Sequence, residues 1–508
     1  MAGTVGCLCP LGNCTFRITC GHCYIINRCP YIHLFNSKKT KYLKLKFDST
    51  IAAISTPPGE GGISVIRVSG EKTFDIIGNI FSKIKNRKQK INLSELNSHT
   101  VHFGYIFDNV HLIDEVLLSI FKKPNSYTGE NTAEISMHGN YFIAEKVLNL
   151  LINTGARLAE PGEFTKRAFL NGKMDLSQAE AVADLIKSKT DISHQYSISQ
   201  LEGSISDYIN RVRNDIISTI ALLELELDFS EEDLEFVSKT ELKQKIQEIS
   251  SQIEDIISTY TTGKIIRDGL DIVISGKPNS GKSSLFNYLL KSDRAIVSHI
   301  SGTTRDYITE SIILEGVLIN LIDTAGIRTS ADIIEEEGIK RTHKMLDEAD
   351  IIIYLIDGTL DKSDIEKEYL YFTKNLNPDK TILTYSKRDL FKEKPENERL
   401  EISIYDDDSI KKLKKEIIKT AKRLTGYNKQ KSAINKGNII LTNFRHKLCF
   451  EKTLESLNNA LDSINSKMSS EFISLDLRNA LNALGEITGE VTNDEILNYI
   501  FKNFCIGK

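Results

Sequence analysis

The sequence predicts a multidomain protein with an α+β N-terminal domain, an α-helical domain, and an α/β P-loop domain inserted into the helical one. Three patterns indicate this fold class. Short strand-like runs fill residues 48 to about 168, long helical periodicity lies on both sides of a central segment, and that segment alternates buried strands with helices. The length of 508 residues suits about three domains. The predicted boundaries are 48–168, 169–265, 266–430 and 431–508, preceded by an extension of residues 1–47.

The composition is that of an ordinary globular protein, with 40% apolar and 26% charged residues. The longest apolar runs, such as residues 351–356, are too short to cross a bilayer, so no membrane partner is expected. Because the net charge is only −4, a nucleic-acid partner would have to bind a local basic patch. The basic runs at residues 83–88 and 411–415 are candidates, although such runs are more often the solvated face of a helix.

The first 47 residues differ from the rest of the chain. They contain no Asp or Glu, seven Lys or Arg, and six of the eight cysteines. A basic leader without acidic residues is typical of an organellar transit peptide, and a start codon placed too far upstream would look the same. Zinc or a redox pair at residues 20–23 is an alternative that lacks a second ligand pair. With only Cys449 and Cys505 in the remainder, the body is expected in a reducing compartment. That compartment is the bacterial cytoplasm, or a mitochondrial or plastid matrix if the extension is a transit peptide.

The body begins with a strand at residues 49–54, a turn-rich loop at 56–62 and a strand at 63–68. Further strands near 115–121 and 132–138 and a helix near 143–152 complete the predicted α+β domain. In the helical domain, the capping-box pattern of residues 177–180 predicts a helix start at Ser177. Apolar residues then recur at helical spacing in both parts of this domain: Ala179, Val182, Ala183, Ile186, Leu454, Leu457, Leu461 and Ile464.

Residues 276–283 fit the phosphate-binding pattern G-x-x-x-x-G-K-[ST]. They follow a short apolar strand and precede a helix, as this loop requires. The glycines let backbone N–H groups surround phosphates, Lys282 supplies a positive charge, and the Ser283 hydroxyl suits Mg²⁺. A chance glycine-rich turn is the alternative explanation. The flanking strand and helix favour a nucleoside triphosphate site with Mg²⁺.

Three later segments narrow the nucleotide to GTP. Asp323 opens D-T-A-G at the end of an apolar strand, where a carboxylate reaches the Mg²⁺ shell. Thr304 lies in a polar loop that could close over Mg²⁺ when a triphosphate is bound. Residues 386–389 occupy the position of the GTPase motif N-K-x-D. Asp389 can accept hydrogen bonds from guanine N1–H and its 2-amino group, which adenine lacks. Ser386 replaces the usual Asn and shortens one base contact.

Together with motifs outside the nucleotide loops, these segments resemble the MnmE (or TrmE) family of tRNA-modification GTPases over about residues 48–508. The motifs are T-P-P-G-x-G-G at 56–62, N-S-Y-T-G-E at 125–130, P-G-E-F-x-x-R-A-F-L-N-G-K at 161–173, G-E-I-T-G-E at 485–490 and F-C-I-G-K at 504–508. The resemblance implies a homodimer through an N-terminal domain with a folate-binding fold. It also implies a heterotetramer with the flavoprotein MnmG, which alone carries FAD.

The implied reaction adds a carboxymethylaminomethyl-type group to C5 of the wobble uridine of certain tRNAs. The carbon would come from a tetrahydrofolate derivative in its 5-formyl or methylene form. The resemblance also implies GTP hydrolysis that depends on K⁺, bound by Asn279, Ser298, Ile300 and Thr303. Ile327 stands where small signalling GTPases keep a water-orienting Gln, and Glu335 matches the family residue that organises the attacking water. An acidic first turn of a helix is the alternative explanation of Glu335.

The resemblance carries over three further sets of residues. The GTP-binding set is Asn279, Ser280, Gly281, Lys282, Ser283, Ser284, Ser298, His299, Ile300, Ser301, Gly302, Thr303, Thr304, Asp323, Thr324, Ala325, Gly326, Ser386, Lys387 and Asp389. The Mg²⁺ ligands are Ser283 and Thr304. The folate set is Arg67, Glu134, Lys173 and Lys508, whose charges suit the carboxylates and pterin edge of a folate. Cys505 is a site candidate that is equally compatible with a packed core position.

Two other functions share part of this pattern. A ribosome-assembly or other RNA-associated GTPase would have the same phosphate loop, but an RNA-binding domain should follow its G domain. A folate-binding or aminomethyltransferase module with a degenerate G domain would have a broken phosphate loop, whereas the loop at 276–283 fits its pattern at every fixed position.

Overall fold

A seven-stranded sheet forms the first domain of the computed structural model, which describes residues 49–85, 91–228, 239–293, 309–323, 344–391, 400–425, 439–492 and 494–508. The strand order is β3-β4-β5-β6-β2-β1-β7, and only the β1–β7 pair is parallel. The strands are β1 (Ile51–Ile54), β2 (Gly61–Ser69), β3 (Phe81–Ser82), β4 (Thr100–Asp108), β5 (His111–Phe121), β6 (Thr132–Gly139) and β7 (Arg157–Leu158). The helices are α1 (Thr73–Gly78), α2 (Tyr141–Asn153) and α3 (Glu163–Leu170), with a 3₁₀ turn at Leu93–Glu95.

Helices α1 and α2 cover one face of this sheet, where Ile66, Ile106 and Ile135 are fully buried. On the opposite face, Val101, Phe103 and Leu117 are exposed. Because successive side chains of a strand point to opposite faces, residues 100–106 of β4 alternate between more exposed and less exposed positions. The sequence prediction did not include β4, although it contains this alternation.

Five helices follow the sheet: α4 (Leu176–Lys187), α5 (Asp191–Leu201), α6 (Ser204–Asp228), α7 (Lys239–Ser258) and α8 (Tyr260–Asp268). The predicted start of α4 at Ser177 is wrong by two residues. Asp175 is the N-cap, because its carboxylate accepts the Gln178 N–H at 2.9 Å while the Gln178 side chain accepts the Asp175 N–H at 2.9 Å. The reciprocal capping box therefore exists, but it uses Asp and Gln where the prediction used Ser and Glu. Ile186, predicted on the apolar face of α4, is 38% exposed.

The central segment is a six-stranded sheet in the order β13-β12-β11-β8-β10-β9, parallel except for the β9–β10 hairpin. The elements are β8 (Leu270–Gly276), α9 (Lys282–Asp293), β9 (Thr309–Leu314), β10 (Val317–Asp323), β11 (Ile351–Asp357), α10 (Lys362–Asn375), β12 (Thr381–Ser386), a 3₁₀ turn at Arg388–Leu390, β13 (Leu400–Glu401) and α11 (Asp407–Thr425). The central strands are apolar throughout because both faces of the sheet are covered. The basic run at 411–415 lies on α11, where Lys411 is exposed and Leu413 is buried, as on a helix with one solvated face.

The chain then returns to the helical domain with α12 (Phe444–Asn465), α13 (Ser470–Thr488) and α14 (Asp494–Lys502). Helices α6, α7, α12 and α13 share one apolar core across the insertion. Charged contacts join α12 to α4, since Arg445 and His446 of α12 both contact the Glu180 carboxylate at 2.7 Å. The predicted fold class is confirmed. None of the described helices has the length and apolar composition needed to cross a membrane.

Candidate functional site

The phosphate loop connects β8 to α9 at the carboxyl edge of the central sheet. Its backbone takes conformations that L-residues rarely adopt: φ is +142° at Gly276, +65° at Asn279 and +91° at Gly281. A Cβ at Gly276 would lie 2.3 Å from the Leu355 carbonyl oxygen, so only glycine fits there. The loop leads directly into the N-terminus of α9, and helix N-termini bind phosphate. This geometry suits the predicted phosphate site.

Lys282 begins α9 and extends its side chain back over the loop. Its ammonium donates to the carbonyl oxygens of Gly276 at 3.0 Å and Lys277 at 2.7 Å. Ser283 follows on the first turn of α9, and its role as a Mg²⁺ ligand stays a prediction. The side-chain carbonyl of Asn279 suits K⁺, which prefers oxygen ligands. The other predicted K⁺ positions lie outside the described residues.

The predicted base-reading segment is bound to the phosphate loop. The Ser386 hydroxyl donates to the Ser280 carbonyl at 2.7 Å and lies 3.2 Å from the Ile356 carbonyl. Because one hydroxyl hydrogen serves these two acceptors, Ser386 acts as a tether between the two loops. Asp389 accepts a hydrogen bond from the Ser403 hydroxyl at 2.6 Å, which leaves acceptor capacity on its carboxylate for a base.

Lys387 has φ +61° and pairs with Asp357 at the end of β11, with Nζ and Oδ2 2.6 Å apart. Burial disfavours ionisation of Asp357, but hydrogen bonds from Lys387 and Thr359 outweigh it and hold the pKa below its ordinary value. An ionised Asp357 therefore binds the Lys387 ammonium, two residues before Asp389 in the chain. Sequence reasoning missed both Asp357 and Ser403. Neither belongs to a short motif with Asp389, so no local signal was available.

Several predicted residues lie outside the described part of the chain. They are Ser298, His299, Ile300, Ser301, Gly302, Thr303, Thr304, Thr324, Ala325, Gly326 and Glu335. Asp323 closes β10, where its backbone pairs in register with Ile274 of β8. The D-T-A-G segment therefore begins at the same sheet edge as the phosphate loop. The roles of Asp323 and of the residues outside the described part of the chain stay predictions.

Two of the four predicted folate residues lie side by side on the face of the first sheet opposite α1 and α2, and both are partly buried. Arg67 of β2 and Glu134 of β6 are register partners, and their side chains pair at 2.8 Å. The Arg67 guanidinium also lies over the Tyr127 ring, 5.0 Å from its centroid. Tyr127 belongs to the N-S-Y-T-G-E motif and had no predicted role, yet it packs against one of the predicted folate residues.

The last residues of the sequence reach the same region. The Ser55 hydroxyl donates to the Gly507 carbonyl at 3.1 Å, and a Cβ at Gly507 would lie 2.4 Å from the Ile54 carbonyl oxygen. Burial and the positive charge of Arg67 lower the pKa of Lys508. Lys508 and Arg67 therefore place two like charges in one partly buried region, which favours an anionic ligand.

Lys173 and Cys505 have different surroundings. The Lys173 ammonium donates to the Pro124 carbonyl at 3.3 Å, beside the loop that carries Tyr127. Cys505 is exposed, whereas its neighbour Phe504 is packed against α14 residues. The packed-core interpretation of Cys505 is therefore wrong, and the thiol remains a site candidate.

A buried network of ion pairs connects α3 to the rest of the first domain. Arg167, only 1% exposed, contacts the Glu163 carboxylate at 2.8 Å and the Glu130 carboxylate at 3.1 Å. It also donates to the Ser49 carbonyl at 2.8 Å. Arg157 pairs with Glu163 at 2.6 Å from the other side. Burial would raise the pKa of Glu163, but Arg157, the Glu160 N–H and Arg167 together hold it below its ordinary value.

Comparison with known proteins covers nearly the whole chain. The family profile described as the MnmE helical domain matches residues 176–505, and that described as the GTP-binding protein TrmE N-terminus matches residues 50–173. The tRNA modification GTPase MnmE of Flavobacterium johnsoniae is 42% identical over 478 residues, covering 90% of this chain and 99% of the relative. The chain belongs to the MnmE family. The MnmE proteins of Christiangramia forsetii and Clostridioides difficile are 40% and 41% identical, each covering 91% of this chain and 100% and 99% of their own.

Solved structures resemble this MnmE family member over a smaller part. The G domain of the T. maritima FeoB iron transporter is 24% identical with a TM-score of 0.24, covering 30% of this chain and 98% of that one. Era of Aquifex aeolicus is 26% identical with a TM-score of 0.21, covering 29% of this chain and 56% of that one.

Proposed function

We propose that this MnmE family member is a K⁺-dependent GTPase that acts with MnmG to add an aminomethyl-type group, in its carboxymethylaminomethyl form, to C5 of the wobble uridine of certain tRNAs. The observation that carries the GTPase activity is the contact between the two predicted nucleotide-binding segments. The Ser386 hydroxyl of the base-reading segment donates a hydrogen bond to the Ser280 carbonyl in the phosphate loop. The relatives are tRNA modification GTPases by name, which supplies tRNA as the substrate. The cellular compartment stays a prediction.

The proposed use of a folate is supported by the partly buried region around Arg67 on the first sheet. Arg67 and Lys508 offer positive charge for the carboxylates of a folate, and Tyr127 offers an aromatic surface beside them. Glu134 forms an ion pair with Arg67, so its carboxylate would accept hydrogen bonds from both the guanidinium and a bound pterin ring. When bound, a tetrahydrofolate would supply the one-carbon unit, and these side chains would bind and orient it.

The proposal is tested by mass spectrometry of wobble nucleosides from a strain that lacks this protein. The modified uridine should be absent and should return when the parental chain is supplied. Unchanged nucleosides in the deletion strain would exclude the tRNA-modification role. Accumulation of a ribosome-assembly intermediate, with normal wobble uridines, would favour the RNA-associated GTPase instead.

Hydrolysis should be fast in K⁺ and slow in Na⁺. Ile327 cannot orient water as Gln does, so charge for the transition state has to come from another source, and a cation held by Asn279 would provide it. The measurement is the kcat for GTP in KCl and in NaCl at equal ionic strength. Equal rates in the two salts would contradict K⁺ dependence.

Replacing Asp389 with Ala should remove most of the preference for GTP over ATP. Two hydrogen bonds to a charged acceptor contribute about 1.5–3 kcal/mol each, so the ratio of the two dissociation constants should fall by at least about a hundredfold. Asp379→Ala, which removes an exposed carboxylate of the same domain, is the control and should leave the ratio unchanged. Comparable dissociation constants for GTP and ATP in the parental protein would show that guanine is not read at residues 386–389.

The exposed apolar face of the first sheet should be the homodimer interface. Phe103 and Leu117 are directly opposite on β4 and β5 and are 54% and 47% exposed. Since contiguous exposed apolar patches mark interaction sites, a Phe103→Asp, Leu117→Asp variant should sediment as a monomer. Leu370→Asp, at a residue 55% exposed on α10, should remain dimeric. A monomeric parental protein would exclude this interface.

A further inference from the structure

A buried carboxylate lies beside the phosphate loop and is not among the residues predicted to bind GTP, Mg²⁺ or K⁺. Glu368 of α10 is 2% exposed, and it forms an ion pair with the ammonium of Lys277, the second residue of the loop. Its other oxygen accepts a hydrogen bond from the Tyr354 hydroxyl of β11 at 2.9 Å. Burial, together with this bond, raises the pKa of Tyr354, so the hydroxyl remains protonated and keeps donating.

Lys277 thus connects the loop in two directions. Its side chain reaches the buried Glu368, and its backbone carbonyl accepts the hydrogen bond from the Lys282 ammonium at 2.7 Å. The Lys277 side chain is 64% exposed, and an exposed lysine ordinarily samples many rotamers. The buried carboxylate restricts it, because leaving Glu368 without a cation would strand a charge in the core.

We propose that Glu368 is a positioning residue for nucleotide binding: through Lys277 it holds the phosphate loop in the conformation that receives the phosphates. This inference rests on the proposed GTPase function. A loop already held in its binding conformation loses less conformational entropy when the ligand arrives, so the contact contributes to affinity without touching the nucleotide. The contribution is the same for ground state and transition state, which predicts a change in KM and not in kcat.

The experiment measures the GDP dissociation constant and the steady-state GTPase parameters of full-length variants. Lys277→Met and Glu368→Gln should each weaken GDP binding by about fivefold to tenfold, roughly the loss of one contact between charged groups. KM should rise by a similar factor while kcat stays within about twofold. The double variant should bind no more weakly than the worse single variant, because the two residues act as one unit. Lys277→Arg, which keeps the ion pair, should restore parental binding.

Two neighbours on α10 serve as matched controls. Lys367→Met and Glu366→Gln remove the same charges from exposed positions of the same helix, and both should leave the GDP dissociation constant unchanged. Lys277 lies on the surface, so Lys277→Met remains informative even if Glu368→Gln fails to fold. The proposal would be overturned if Lys277→Met bound GDP with parental affinity or if the losses of the two single variants added in the double variant. It would also be overturned if the control variants lost as much GDP affinity as Lys277→Met. If the parental protein bound ADP as tightly as GDP, the predicted guanine specificity would be wrong. The role of Glu368 could still be tested, because the affinities of the loop variants can be measured with either nucleotide.

Discussion

Replacing Arg167 with Met should lower the free energy of unfolding of the first domain by about 3–5 kcal/mol, the cost of removing one partner from a buried ion pair. The variant leaves Glu163, 2% exposed, with Arg157 as its remaining cation, and it leaves Glu130 without the guanidinium. Hydrogen exchange followed by mass spectrometry can localise the loss in the full-length protein. Amides of β1, β2 and α3 should exchange much faster, whereas those of the central sheet should not change.

Arg157→Met is the control for this variant. Arg157 contacts the same Glu163 but is 42% exposed, so its loss should cost only about 1 kcal/mol. Adding Glu130→Gln to Arg167→Met should recover part of the stability, because Glu130 is the carboxylate that loses its guanidinium. If the two Arg variants are equally stable, the buried network does not support the domain.

Replacing Glu335 with Ala should lower kcat for GTP hydrolysis by about tenfold to a hundredfold, the scale of a lost water-orienting or general-base group. Nucleotide affinity should barely change, since Lys282, Ser283 and Asp389 are left intact. The variant should also fail to restore the modified wobble uridine in a deletion strain, because hydrolysis is expected to drive the dimer between its open and closed arrangements.

Glu336→Ala is the neighbouring control and should hydrolyse GTP at the parental rate. A parental rate in Glu335→Ala combined with a slow Glu336→Ala would move the role to Glu336. Full activity in both variants would mean that water activation comes from elsewhere in the chain.

Elements with a strong local pattern could be predicted closely. The strand before the phosphate loop was expected at 270–275 and spans Leu270–Gly276, and the helix expected near 143–152 spans Tyr141–Asn153. Strand β4 was not predicted, because the burial of its residues depends on which face of the sheet α1 and α2 cover. That is a property of the tertiary structure. The start of α4 was misplaced because Ser177 and Asp175 are both good caps in sequence. Only the backbone bond to Gln178 distinguishes them.

The candidate site shows a similar division. Motif residues such as Lys282 and Asp389 could be found because their chemistry depends on a fixed spacing. Their supporting contacts could not, because the partners are far apart in sequence. Ser386 and Ser280 are separated by 106 residues, and Glu368 meets Lys277 only because α10 packs beside the loop. The pairing of Arg67 with Glu134 depends on strand register, which the sequence did not specify.

The contact between Ser55 and Gly507 joins residues 452 positions apart, and this has a consequence during translation. Ribosomes add about 5–20 residues per second, so roughly 20–90 s pass between the synthesis of the first strand and that of the segment that packs on it. Throughout that interval the nascent first domain lacks Lys508 beside Arg67. A ribosome-bound chain would therefore lack one of the two cations of the proposed folate site until the end of its synthesis.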